Sequence, residues 1–281
     1  MRGNAWLSGV VLLAVSVAAR GVPAATDTDW PTYGHDPGGM RYSPLTQINT
    51  SNVAQLKSAW TYSMRVTGTE APASEDAARR VSEGATPFPR RRSRLGASQT
   101  TPLVIDGTMY LSTPYRRVVA LDAQSGSEVW HYDVPGPGQP SLRGVEYWPG
   151  DTSSGPRIVF GTRDGRLIAL DAKTGLPADE FGAHGIVDLK TPDIVPEVST
   201  SPMAQYGLTS PPLVYRNLIV TGSAVQEFPA LGASGDVRAW DAHTGKLVWT
   251  FHTVPRPGEY AHDTWAMTAG ANDPASTSGV S

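Results

Sequence analysis

This chain of 281 residues carries six histidines (His35, His131, His184, His243, His252 and His262) and no cysteine, which bounds its nucleophilic and metal chemistry. Without cysteine there is no disulfide, no thiolate nucleophile and no Cys-ligated metal. The histidine spacings form no ligand cluster, so surface and strand-turn positions are expected for them. The arginine clusters at 79–80 and 90–92 sit in a stretch, 65–96, of Ala, Pro, Glu and Arg without periodicity, which reads as a solvated loop insertion. A net charge of −3, with basic residues not interleaved with aromatics, gives no case for nucleic acid as a partner. The carboxylates that recur in a fixed setting are Asp122, Asp171 and Asp241, each third in a seven-residue phrase: ALDAQSG (120–126), ALDAKTG (169–175) and AWDAHTG (239–245). Their chemistry is that of a turn. The Asp side chain accepts from the next backbone N–H groups, and the closing glycine takes φ > 0 without a Cβ clash.

The elements around those turns are strands. An apolar run precedes each phrase (118–121, 167–170, 237–240), and Glu128 to Tyr132 and Lys246 to Phe251 follow the first and third, with Trp130 and Trp249 at one offset from the glycine. Those tryptophans are expected between sheets. Upstream, TPLVIDGTMYL (101–111) and SPPLVYRNLIV (210–220) each predict another hairpin. Each unit therefore holds four antiparallel strands, and radial repetition of such sheets gives an all-β propeller, which leaves few exposed edges. The Asp-to-Asp separations are 49 and 70 residues, so one unit is enlarged. With 24 prolines and 29 glycines, long helices are not expected. About three units are clear, with a partial one at Ser58 to Tyr62, so the ring reads as incomplete in this chain.

The first 25 residues read as a signal peptide. Arg2 precedes an apolar stretch, 5–19, too short to span a bilayer comfortably, and small residues at 22–25 offer a cleavage site. A periplasmic location follows for residues 26–281.

Several phrases resemble the PQQ-dependent (quinoprotein) dehydrogenases of the glucose and alcohol dehydrogenase type, where PQQ is pyrroloquinoline quinone. They are DWPTYGHD (29–36) running on through RYSPL (41–45), RGVEYW (143–148), residues 161–175, and GDVR (235–238) through HTVPRPGE (252–259). The resemblance covers about residues 29 to 265. It implies an eight-bladed propeller with PQQ and a calcium ion on its axis, oxidising alcohols or sugars and passing electrons to a quinone or cytochrome. PQQ is a planar ortho-quinone with three carboxylates, so it needs cationic and hydroxyl donors at its rim. Calcium takes oxygen ligands and would polarise the quinone carbonyl. Carried over by position, the resemblance assigns Arg143, Gln99, Thr209, Ser223 and Ala224 to the cofactor and Glu227 to calcium.

The departures from the pattern also carry expectations. Alcohol-oxidising relatives have a vicinal Cys pair near the RG motif; here 137–142 reads PGQPSL, which leans toward a sugar or polyol. The resemblance dissolves over residues 266–281, a divergent tail. The Trp platform, further calcium ligands and the general-base Asp are then expected beyond the C-terminus, in a possible complementing C-terminal half, and the chain alone is expected to turn over negligibly. The alternative class is a non-catalytic propeller of the same repeat that binds protein partners.

Overall fold

The computed structural model of the chain describes residues 29–65, 98–195, 206–225 and 233–264. The signal segment 1–25, residues 66–96 of the loop insertion, the tail 266–281 and Glu227 lie outside them.

Three four-stranded antiparallel sheets form the described fold. The first joins β1 (Leu103–Ile105), β2 (Thr108–Ser112), β3 (Arg117–Asp122) and β4 (Glu128–Asp133) in sequence order; the second joins β5 (Glu146–Trp148), β6 (Arg157–Gly161), β7 (Arg166–Asp171) and β8 (Ile186–Asp188). In the third blade β9 (Tyr206–Gly207) precedes β10 (Leu213–Tyr215) and β11 (Leu218–Thr221), and β12 (Ala224–Val225) precedes β13 (Val237–Asp241) and β14 (Leu247–Phe251). The sheet order there is β10-β11-β13-β14, and β12 pairs back onto β9 as a separate two-stranded ribbon. That ribbon and its connections account for the enlarged unit. The only helical pieces among the described residues are 3-10 turns at Val53–Gln55 and His262–Thr264.

Each repeated phrase closes a hairpin by the expected chemistry. Oδ1 of Asp122, Asp171 and Asp241 accepts from the amides of Ser125, Thr174 and Thr244 at 2.7, 2.8 and 2.8 Å. Gly126, Gly175 and Gly245 follow at φ of 72°, 72° and 70°, a region that side chains rarely enter.

The runs ahead of the first two turns are continuously apolar because both faces of a blade are covered, while Arg238 interrupts the third. On β7, Ile168 and Leu170 face one cluster with Val118, Ala120 and Trp130 of the first blade, while Leu167 and Ala169 join Ile219 and Trp240 of the third. The period-2 alternation of a strand thus serves two interfaces at once.

Tryptophan rings lock adjacent units through the turn glycines. A Cβ on Gly175 would lie 2.6 Å from the Trp130 ring, and one on Gly126 at less than that from Trp60. Each indole N–H donates to the carbonyl just after the turn aspartate: Trp130 to Ala172 at 3.0 Å, Trp60 to Ala123 at 3.2 Å. Gly245 receives Val187 and Phe181 of the second blade instead. Trp249 departs from the expectation. It is 40% exposed on β14, since no described sheet lies beyond that strand. The partial unit at Ser58 to Tyr62 likewise forms no strand, but it covers the first blade: Trp60 sits on Gly126, and the Tyr62 hydroxyl donates to Glu128 at 2.5 Å.

The segment from Asp29 also crosses to other elements. Trp30 and Val104 exchange backbone hydrogen bonds at 2.7 and 3.0 Å, which lays 29–33 beside β1 and brings Thr32 to the second blade.

Candidate functional site

The polar segment entering each blade's first strand meets the next blade's at one end of the sheets. The Gln99 amide donates to the Leu142 carbonyl and the Thr101 amide to the Arg143 carbonyl, both at 3.2 Å, joining the first entrance to the second. Ser141 Oγ donates to the Thr209 carbonyl at 2.6 Å and Arg143 Nη1 to Ser210 Oγ at 2.8 Å, joining the second to the third. Buried hydroxyls back this seam: Ser112 Oγ donates to the Ser141 carbonyl at 2.5 Å, and Thr100 Oγ1 lies 2.9 Å from both the Ser112 carbonyl and its hydroxyl. Three sequence-distant stretches thereby form one arc.

Gln99, Arg143 and Thr209 lie along that arc, and Ser223 and Ala224 stand at its third-blade end. A cleft of about 80 Å³ runs between residues 208–212 and 221–223. That volume holds one ligand group rather than a whole drug-sized molecule, which takes several hundred Å³. Ser223 Oγ is buried and makes no hydrogen bond of full geometry among the described residues, though the Tyr206 hydroxyl is near enough to feel it. Ala224 pairs through its backbone with Gly207 across β12 and β9. Gln99 and Arg143 are exposed, and no carboxylate among the described residues lies within ion-pair distance of the Arg143 guanidinium. The arc offers one cation, several hydroxyls and backbone groups, a donor set for an anionic, oxygen-rich ligand.

Three residues after Arg143, within the phrase RGVEYW, β5 buries a carboxyl. Glu146 is 2% exposed and receives Thr32 Oγ1 at 3.0 Å and the Tyr147 amide at 3.2 Å; the Tyr33 amide also donates to it. Burial pushes its pKa up to about 7, and the three donors only partly oppose that. A carboxyl whose folded pKa lies above its ordinary 4.5 contributes stability that is fully present below pH 4.5 and is lost as pH rises to about 7. Stability should therefore fall across this window by up to about 1.4 kcal/mol per pH unit from this group. Urea unfolding from pH 5 to 8 checks this: Glu146→Gln should flatten the slope, and an unchanged slope would refute the assignment.

Metal ligation is less complete. Among the described residues no three His, Asp or Glu side chains converge as a metal centre, and Glu227 lies outside them. Each histidine contacts one or two carboxylates: His243 lies 2.8 Å from Asp151 and 3.7 Å from Asp241, and His131 2.6 Å from Glu128 and 3.7 Å from Asp133.

Residues 30–278 match the PQQ family model described as the glucose/ethanol/alcohol dehydrogenase β-propeller domain. The chain belongs to this family of quinoprotein dehydrogenases. It is 32% identical over 257 residues to the quinoprotein glucose dehydrogenase of Escherichia coli K12, covering 85% of this chain and 29% of that protein. It is 36% identical over 237 residues to the dehydrogenase subunit of the quinone alcohol dehydrogenase of Gluconobacter oxydans 621H, covering 82% and 25%. Among solved structures, the quinohemoprotein alcohol dehydrogenase of Comamonas testosteroni superposes with a TM-score of 0.56 at 29% identity, over 83% of this chain and 28% of that one. The quinoprotein-family chain thus spans less than a third of the length of these relatives.

An exposed guanidinium without a carboxylate partner among the described residues is the kind of donor that the carboxylates of a cofactor such as PQQ require. Ser210 and Ser141, which hold Arg143 and Thr209 in place, were not singled out in the sequence. Their signal was their position beside the assigned residues, ahead of a Pro-led strand and within PGQPSL.

Proposed function

We propose that this chain supplies the rim of the PQQ site in a periplasmic, calcium-dependent quinoprotein dehydrogenase acting on a sugar or polyol. The observation that supports the reading is the arc itself: the segments that carry Gln99, Arg143 and Thr209, from three blades, are hydrogen-bonded to one another at one end of the sheets, with Ser223 at the third-blade cleft. When bound, PQQ supplies the ortho-quinone that accepts hydride from a carbinol carbon. Arg143 would hold cofactor oxygens by charge-assisted bonds, with Ser210 fixing its guanidinium. Gln99, Thr209 and Ser223 would donate to rim carboxylates, and the β12 backbone at Ala224 would close the third-blade side. Glu227 would contribute to the calcium site. The lack of the Cys pair in 137–142 favours sugars over simple alcohols, and a quinone or cytochrome would take the electrons. The cleft, lined by hydroxyl and backbone groups, would serve binding.

Gel filtration of the chain after incubation with PQQ and calcium tests this. Co-elution of the cofactor's absorbance with the protein, lost on chelation with EGTA, is expected. Failure to retain PQQ with calcium present would overturn the reading, and retention indifferent to EGTA would remove its calcium component.

A further inference from the structure

Behind the Ser223–Ala224 wall lies a buried polar network that the binding arc does not use. Arg238, on β13, is 1% exposed. Its Nη2 donates to Asp236 Oδ2 at 3.1 Å and its Nη1 to the Tyr206 hydroxyl at 3.0 Å, with the guanidinium carbon 5.8 Å from the Tyr206 ring centroid. Asp236, 2% exposed, also accepts from Ser234 Oγ at 2.6 Å, and Arg256 Nη2 stands 3.6 Å from the same carboxylate. Tyr206 in turn opens β9. Among the described residues the pairs Val225↔Tyr206 and Ala224↔Gly207 form the ribbon that carries Ala224 beside Ser223.

Among the described residues the ribbon comprises two residue pairs, and its packed face, Tyr206 and Leu208 with Val225 against the core of Trp148, Phe181 and Trp240, leaves the Tyr206 hydroxyl to be oriented by polar partners. Its other anchors are on the second blade: the Leu208 amide donates to the Thr162 carbonyl at 2.9 Å, and a Cβ on Gly207 would collide with the Arg163 backbone. Anchoring through a buried Arg–Asp pair is not the cheapest packing solution, because desolvating two charges costs several kcal/mol and an apolar replacement is often as stable. What such a pair adds is a fixed orientation. The guanidinium fork can place the Tyr206 hydroxyl in one position only while Asp236 holds its other nitrogen.

We infer that Arg238, acting through Tyr206, is a positioning residue that fixes the β9–β12 ribbon and thereby the Ser223 wall of the ligand cleft. Its consequence for the cofactor rests on the PQQ reading above; its consequence for the ribbon does not. Tyr206→Phe keeps the ring and removes the hydroxyl that Arg238 grips. Arg238→Lys keeps the charge but reaches Asp236 and Tyr206 with a single nitrogen.

Hydrogen exchange on the ligand-free chain, followed by mass spectrometry, decides the positioning role. In Tyr206→Phe the amides of Ala224 and Val225 should exchange about tenfold faster, as expected for one lost hydrogen bond of roughly 1.4 kcal/mol, while peptides from 103–122 and 157–171 stay unchanged. Arg238→Lys should show the same local change in smaller measure. Unchanged exchange at 224–225 in both variants, or equal acceleration across all three blades, would overturn the inference. PQQ affinity, followed by tryptophan fluorescence, should fall about tenfold in Tyr206→Phe. If the unaltered chain binds no PQQ, the functional reading fails, and the exchange result still settles whether Arg238 positions the ribbon.

Discussion

Replacing Trp130 by alanine is expected to cost about 3–5 kcal/mol, the usual range for removing a large buried aromatic. The ring fills the contact over Gly175, stands 5.9 Å from Tyr110, and its N–H is the donor to the Ala172 carbonyl at 3.0 Å. Truncation leaves both a cavity and a buried carbonyl without its donor, and the second adds to the first. Since small domains hold only about 5–15 kcal/mol in total, the variant should unfold at much lower urea. Trp249 is the internal control. It occupies the same offset in its repeat but is 40% exposed with no described sheet against it, so Trp249→Ala should cost about 1 kcal/mol or less. Chemical denaturation of the two variants side by side measures the difference; equal losses would mean that the ring-on-glycine contact does not hold the blades together.

Arg143→Ala should weaken PQQ binding about 100-fold, corresponding to roughly 3 kcal/mol for loss of a charge-assisted contact to a carboxylate. Arg143 is exposed, and its side-chain bond within the fold is to Ser210 at 2.8 Å, so unfolding stability should barely change. Arg143→Lys should recover part of the affinity, since a point charge replaces a fork that binds two oxygens at once. Equilibrium dialysis of PQQ against the three proteins reads this directly. A PQQ affinity unaffected by the alanine would remove Arg143 from the site.

The turns were legible in the sequence because everything that makes them is local. Asp, a hydroxyl three residues on and a glycine at the fifth position form each turn from their own side chain and backbone atoms. The strands beside them were legible from apolar runs, and the double-sided burial of β3 and β7 explains why those runs do not alternate. The second blade was the least legible of the three. No tryptophan follows its turn at the expected offset, and Val187 and Phe181 do the packing instead. Contacts across long separations left no local trace: Thr32 meets Glu146 over 114 residues, and Arg143 meets Ser210 over 67. The site residues came from the resemblance of whole phrases rather than from residue chemistry, since a lone Arg, Thr or Ser in a strand-entry loop carries no distinctive pattern. Arg238 was hidden for the opposite reason, because a charged residue in a strand reads as facing water, whereas here it is buried against Tyr206 and Asp236.

Hydrogen exchange of the chain with and without PQQ, calcium being present in both, maps where the cofactor lies. Slowed exchange is expected in the three blade-entry segments, 98–101, 141–144 and 209–210, and in the third-blade wall at 222–225. The turns at 122–126, 171–175 and 241–245, at the opposite end of the strands, should be unaffected. Protection centred on those turns, or no protection at the blade entrances under saturating PQQ, would contradict a cofactor site built from Gln99, Arg143, Thr209 and Ser223.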